Sequence, residues 1–163
     1  SALKVPTRLA DVPQWSPAQA HRTRRFDLNM PMMGGMMGMM GRHSRRRGMR
    51  DVMGINGNSM DPNRIDEHVP LGAIEIWSIR NDTPLAHPFH IHDVQFRILD
   101  RDGRPPPPGE AGLKDTVLID PGQTVNIVAH FTDYADSKRP YMYHCHILEH
   151  EDAGMMGQFV VTT

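Results

Sequence analysis

The 163-residue sequence predicts an all-β fold, a Greek-key sandwich or barrel, on three observations. Apolar and polar residues alternate over short stretches, turn-forming residues punctuate those stretches at close intervals, and nothing keeps the period of a long helix. A chain of this length can bury one sizeable core, roughly two-thirds of its extended surface. Apolar residues make up 39% of it, enough for such a core and too many for a chain disordered throughout.

Residues 1–23, with Pro6, Pro13 and Pro17 among short polar stretches, read as an extended linker from a preceding domain, and residues 24–163 as the domain itself. A short strand is expected from Arg24 to Met30. Nine of the thirteen methionines fall between Met30 and Met53, where Gly34, Gly35, Gly38 and Gly41 oppose a helix. Residues 30–53 are therefore expected to form a Met-rich insertion, read either as exposed thioethers that, as soft donors, gather Cu(I) or as a flexible, greasy linker. Ile74 to Ile79 is the first persuasive strand, and Val94 to Leu99 a second. Gly103 and the run Pro105 to Pro108 end that element in a surface loop. Thr116–Ile119 and Thr124–Phe131 flank the turn Asp120-Pro121-Gly122-Gln123 and are expected to form a hairpin or a corner. Tyr141–His144 and Gln158–Val161 complete the set.

A formal charge of −1 supplies no global field for nucleic acid or an anionic membrane, and Arg42, Arg45, Arg46, Arg47 and Arg50 read as a solvated loop. No apolar run approaches the roughly 20 residues of a spanning helix. The first residues lack a signal-peptide pattern, so the expectation is a signal already removed or an excised piece. Cys145 is the one cysteine, which rules out an internal disulfide and leaves its thiol for chemistry.

Six of the ten histidines fall in two clusters, His87-Pro-Phe-His90-Ile-His92 and His144-Cys145-His146-Ile-Leu-Glu-His150, the second continuing to Met155. Imidazoles packed this closely beside a single thiol form a metal-site pattern, because neutral imidazole and thiolate are strong donors. Side chains on a strand alternate faces, so Cys145 points one way while His144 and His146 point the other. Two sites follow. A copper on Cys145 needs two imidazoles and a weak axial ligand, which His87, His150 and Met155 can supply. His90 and His92, two apart in an extended segment, can join His144 and His146 at the second site.

The pattern His-x-x-His-x-His, followed far downstream by His-Cys-His-x-x-x-His-x-x-x-x-Met, resembles the C-terminal signature of multicopper oxidases. Ile55-Asn-Gly57, Gly72-Ala-Ile-Glu-Ile-Trp77, Asn81, Gly112-Leu-Lys-Asp-Thr116 and Pro121-Gly122 extend that similarity over roughly residues 55–163. The resemblance implies a C-terminal cupredoxin domain in which His87, Cys145, His150 and Met155 bind type 1 copper, His90 binds type 2 copper, and His92, His144 and His146 bind type 3 copper. It implies that electrons from Cu(I) or a phenolic reductant enter at the type 1 site and reach, through His144-Cys145-His146, a trinuclear centre that reduces O2 to water. That centre uses eight histidines, four of them from N-terminal cupredoxin domains. His21, His43, His68 and His130 are scattered, so the chain alone is expected to bind type 1 copper without reducing O2. The resemblance further implies a periplasmic or extracellular location and, for Glu151, a place on a proton route. Asp115 is expected to fix a loop. Met155 favours the bacterial laccase, bilirubin oxidase and copper-efflux oxidase branches.

A one-copper electron-transfer or copper-storage cupredoxin would need His87, Cys145, His150 and Met155 alone, leaving four clustered histidines without a task. A nitrite reductase domain fits the His-Cys-His arrangement less well, and a structural zinc site fits a donor set divided between two faces poorly.

Overall fold

The computed structural model describes residues 10–31 and 53–163. The Arg42–Arg50 cluster and nearly all of the Met-rich stretch lie outside those residues, as do residues 1–9. Ten strands occur among the described residues, in chain order: β1 (Arg22–Asn29), β2 (Gly54–Ile55), β3 (Glu67–Pro70), β4 (Ile74–Asn81), β5 (His87–Ile91), β6 (Phe96–Arg101), β7 (Thr116–Ile119), β8 (Thr124–His130), β9 (Tyr141–Cys145) and β10 (Met156–Thr162). A short α-helix, α1 (Leu148–Asp152), follows β9. Among the described residues, no helix is long and apolar enough to cross a membrane.

The strands form two five-stranded sheets, ordered β2-β1-β4-β8-β6 and β3-β10-β9-β5-β7. Each sheet has one parallel pair, β1 with β4 in the first and β3 with β10 in the second. Burial alternates along β4, so that Glu75, Trp77, Ile79 and Asn81 face the interior. Trp77 is the hub of the core, with ring centroids of Phe26 at 4.5 Å, Tyr143 at 5.5 Å, and Phe131 and Phe159 each at 5.7 Å. Residues of both sheets thus meet on one indole, the interlocking that holds a sandwich together.

A buried charge stands beside this hub. Glu75 accepts bonds from Arg24 Nε at 2.6 Å, Arg24 Nη2 at 2.8 Å and the Trp77 indole N–H at 3.0 Å. Arg24 also pairs with Glu67 of the other sheet, which spreads its charge over two carboxylates. Burial opposes the guanidinium charge, but the bonds and charges of Glu75 and Glu67 hold its pKa above the usual arginine value.

The turn at Asp120–Gln123 is a corner. Gln123 N–H donates to Asp120 O at 3.0 Å, and Gly122 takes φ +74°, the left-handed value that a type II turn needs after its proline. β7 then pairs with β5 while β8 pairs with β4 and β6, so the chain changes sheets here. The second expected strand begins two residues late. Asp93 at φ +73° breaks the extended backbone after His92, and the strand starts at Phe96.

Candidate metal centre

β5 and β9 are neighbours in the second sheet, with Phe89 opposite Cys145 and His90 opposite His144. Alternation turns His87, Phe89 and Ile91 toward the core, and the same rule turns Cys145 inward. His90 and His144 are directly opposed on the other face. This register converts two sequence clusters into two sets of donors on opposite sides of one sheet.

The inward set is compact. His87 Nδ1 lies 3.4 Å from Cys145 Sγ, Cys145 Sγ lies 3.6 Å from His150 Nδ1, and the two Nδ1 atoms are 3.2 Å apart. A triangle of this size has its corners about 2.0 Å from its centre, the length of a first-row metal bond to imidazole and a little short of one to thiolate. His150 gets there through α1, which folds the chain back directly after β9. Met155 is fully buried, and its carbonyl accepts from Cys145 N–H at 3.0 Å, so the methionine is held against the cysteine strand. Gly154, at φ +97°, makes the reversal between α1 and Met155. A Cβ there would lie 2.9 Å from Ser59 Cβ.

Burial governs the protonation of His87 and Cys145. His87 is pushed down to about 4 by burial and by the adjacent His150, which keeps it a neutral donor at pH 7. Burial pushes the Cys145 thiol up, so a metal bound there displaces a proton from sulfur.

In the outward set, donor atoms of His90, His92 and His144 all lie within 4.8 Å of one another, with His92 Nε2 and His144 Nε2 3.2 Å apart. His90 Nδ1 is 2.9 Å from the Asp115 carbonyl and 3.0 Å from Thr116 Oγ1, which leaves Nε2 as its free donor. His144 Nδ1 lies 3.1 Å from the Cys145 carbonyl, which again directs Nε2 outward. Burial is the main cause that lowers the pKa values of His90 and His92. His146 joins more loosely. It is exposed beyond the end of β9, with its ring centroid 5.4 Å from His144 and 5.6 Å from His90. A cavity of ≈ 360 Å³, lined by residues including His90, His92, Asp93 and Asp115, opens beside these imidazoles.

Glu151 is two-sided in its placement. Its carboxylate is partly exposed, yet Oε2 comes within 3.3 Å of His144 Nδ1. Asp115 holds His90 through its backbone and accepts from Thr116 Oγ1 at 3.0 Å through its side chain, in line with a loop-fixing role.

One participant carried no motif. Thr83, buried in the loop before β5, puts its Oγ1 2.6 Å from His87 Nε2. The only sequence signal for it was its place between Asn81 and His87.

A family model for multicopper oxidases matches residues 25–163. A multicopper oxidase of Staphylococcus haemolyticus is 48% identical over 119 residues, 71% of this chain and 26% of that protein. A Bacillus subtilis laccase is 40% identical over 132 residues, 69% of this chain and 25% of the laccase. The crystal structure of a Pediococcus acidilactici laccase superposes with a TM-score of 0.80 at 32% identity, covering 100% of this chain and 32% of that one. The chain thus spans about a quarter to a third of these three relatives. Cupredoxin-like sheets, an inward Cys–His–His triangle and an outward group of imidazoles come together over this shared region, and the chain belongs to the multicopper oxidase family.

Proposed function

We propose that this chain is the electron-entry domain of a multicopper oxidase, with His87, Cys145, His150 and Met155 as type 1 copper ligands, His90 as a type 2 ligand, and His92, His144 and His146 as type 3 ligands. The observation that carries this reading is the division of donors between the two faces of the β5–β9 pair. A one-copper carrier would have no use for the outward imidazoles. Copper, when bound, supplies one-electron redox chemistry at the inward site and four-electron reduction of O2 at the outward one. His87, His150 and the Cys145 thiolate give three strong donors and Met155 a weak thioether, the donor set of a blue-copper site rather than of a zinc site.

The chain's own residues prepare both sites. Cys145 belongs to the inward set while its carbonyl meets His144 Nδ1, so one residue spans the short distance between the two donor groups. Asp115 and Thr116 orient His90. Glu151 can hold a proton at Oε2 beside His144 and pass it toward the outward site. The reductant is Cu(I) or a phenol, and the work is done in the periplasm or outside the cell. The remaining cluster histidines come from N-terminal cupredoxin domains.

Anaerobic loading with copper, followed by reoxidation, tests the reading through the visible and electron paramagnetic resonance spectra and through O2 uptake with Cu(I) or a phenol. One intense thiolate-to-copper band without O2 uptake is expected. A folded chain that binds copper without the band would contradict the type 1 assignment, and vigorous O2 uptake would contradict the need for partner domains.

A further inference from the structure

The polar groups behind His87 form a network that reaches its Nε2, the nitrogen turned away from Cys145 and His150. Asn81, fully buried at the end of β4, donates from Nδ2 to the Leu85 carbonyl at 2.8 Å and to the Ile119 carbonyl at 2.9 Å. Its Oδ1 accepts the Thr83 backbone N–H at 3.0 Å. Two carbonyls at the nitrogen and an N–H at the oxygen fix the orientation of the amide, because reversing it would set like against like three times. Thr83 Oγ1 then has one proton and two acceptors for it, Asn81 Oδ1 at 2.8 Å and the Leu85 carbonyl at 3.1 Å. The Leu85 N–H donates to the same hydroxyl at 3.3 Å. With the proton on Asn81 Oδ1 or the Leu85 carbonyl, the remaining lone pair faces His87 Nε2 at 2.6 Å, an arrangement in which Nε2 carries the hydrogen and Nδ1 the free pair. Nδ1 is the nitrogen turned to the inward set, 3.2 Å from His150 Nδ1 and 3.4 Å from Cys145 Sγ.

We infer that Thr83, held in register by Asn81, is a positioning residue that locks His87 in the Nε2–H tautomer, strengthens Nδ1 as a donor and thereby lowers the reduction potential of the inward site. The effect on potential rests on the copper assignment above, whereas the tautomer does not. A hydrogen bond accepted from Nε2–H raises the electron density at Nδ1, and Cu(II), the harder ion, gains more from that than Cu(I). Loss of a partner of this kind weakens metal binding by roughly 10–100-fold. If Cu(II) bears that loss and Cu(I) does not, each tenfold appears as a rise of about 59 mV in potential.

Thr83→Val, which keeps the shape and deletes the hydroxyl, and Thr83→Ser, which keeps the hydroxyl, are compared with the wild-type chain. Imidazole 15N–1H correlation spectra of the metal-free proteins at pH 7 report the tautomer, and redox titration of the copper-loaded proteins reports the potential. The expected results are a single, slowly exchanging Nε2–H on His87 in wild type and Thr83→Ser, its loss or mixing with the other tautomer in Thr83→Val, and a potential raised in Thr83→Val alone. An Nδ1–H tautomer in the wild type, or a Thr83→Val protein unchanged in both tautomer and potential, would overturn the inference. Absence of a thiolate band in the wild type would instead remove the copper assignment, and the metal-free spectra would still decide the tautomer.

Discussion

Cys145→Ser is expected to abolish the thiolate-to-copper band completely and to weaken copper binding at the inward site by more than about a hundredfold, since a ligand contributes more than the outer partners whose loss costs 10–100-fold. The exchange is nearly isosteric, so the sandwich should survive it. Cys145 is one of many side chains in the core and not its hub, which is Trp77. The informative control is His92→Ala. His92 lies on the outward face, so its loss should spare the band while removing one of three clustered donors there. Visible absorption of the three copper-loaded proteins makes the comparison. Equal loss of the band in both variants would refute the division into two sites.

The second large effect is acid sensitivity of the metal-free chain. His87 is fully buried and neutral, with a pKa near 4 against 6.5 for the free side chain. Below pH 6.5 the unfolded chain takes up a proton that the folded chain refuses until pH 4. Stability contributed by keeping His87 neutral is therefore present above pH 6.5 and is lost as pH falls through that window, amounting to about 3 kcal/mol. His90 and His92 are lowered too and act in the same direction. At the alkaline end the sign is opposite for the acid Cys145. Its raised pKa lets the unfolded thiol ionise first, so stability falls again as pH rises past 9. Urea unfolding at pH 7 and pH 4.5 should show the acid loss, and His87→Gln should lose less over the same interval. Parallel losses in the two proteins would mean that burial of His87 is not the cause.

The site was more legible in the sequence than the fold around it. Strand alternation alone separates Cys145 from His144, and β9 carries that alternation into the structure because Tyr143 and Cys145 are both needed in the core. The return of His150 and Met155 was legible only as spacing. A five-residue helix such as α1 is too short for a periodic signature, yet it brings His150 back to the sulfur. β3 had no local signal either. Val69 is its one buried apolar residue, and the strand exists through parallel pairing with β10, about ninety positions downstream. At Asp120–Gln123 the turn chemistry is the same for a hairpin and for a corner, and the choice comes from β7 pairing with β5 instead of with β8. Thr83 carries no sequence signal because its contact is with the His87 ring, and a lone threonine in a loop has no pattern of its own.

In the proposed arrangement one metal ion is held on the core side of the sheet by a sulfur and two imidazoles. X-ray absorption at the copper edge of the chain loaded with one equivalent of copper tests it most directly. One short sulfur shell, no longer than the roughly 2.3 Å of a zinc–thiolate bond, and two nitrogens at about 2.0 Å are expected. A shell of nitrogen and oxygen without sulfur would place the copper on the outward imidazoles and contradict the account.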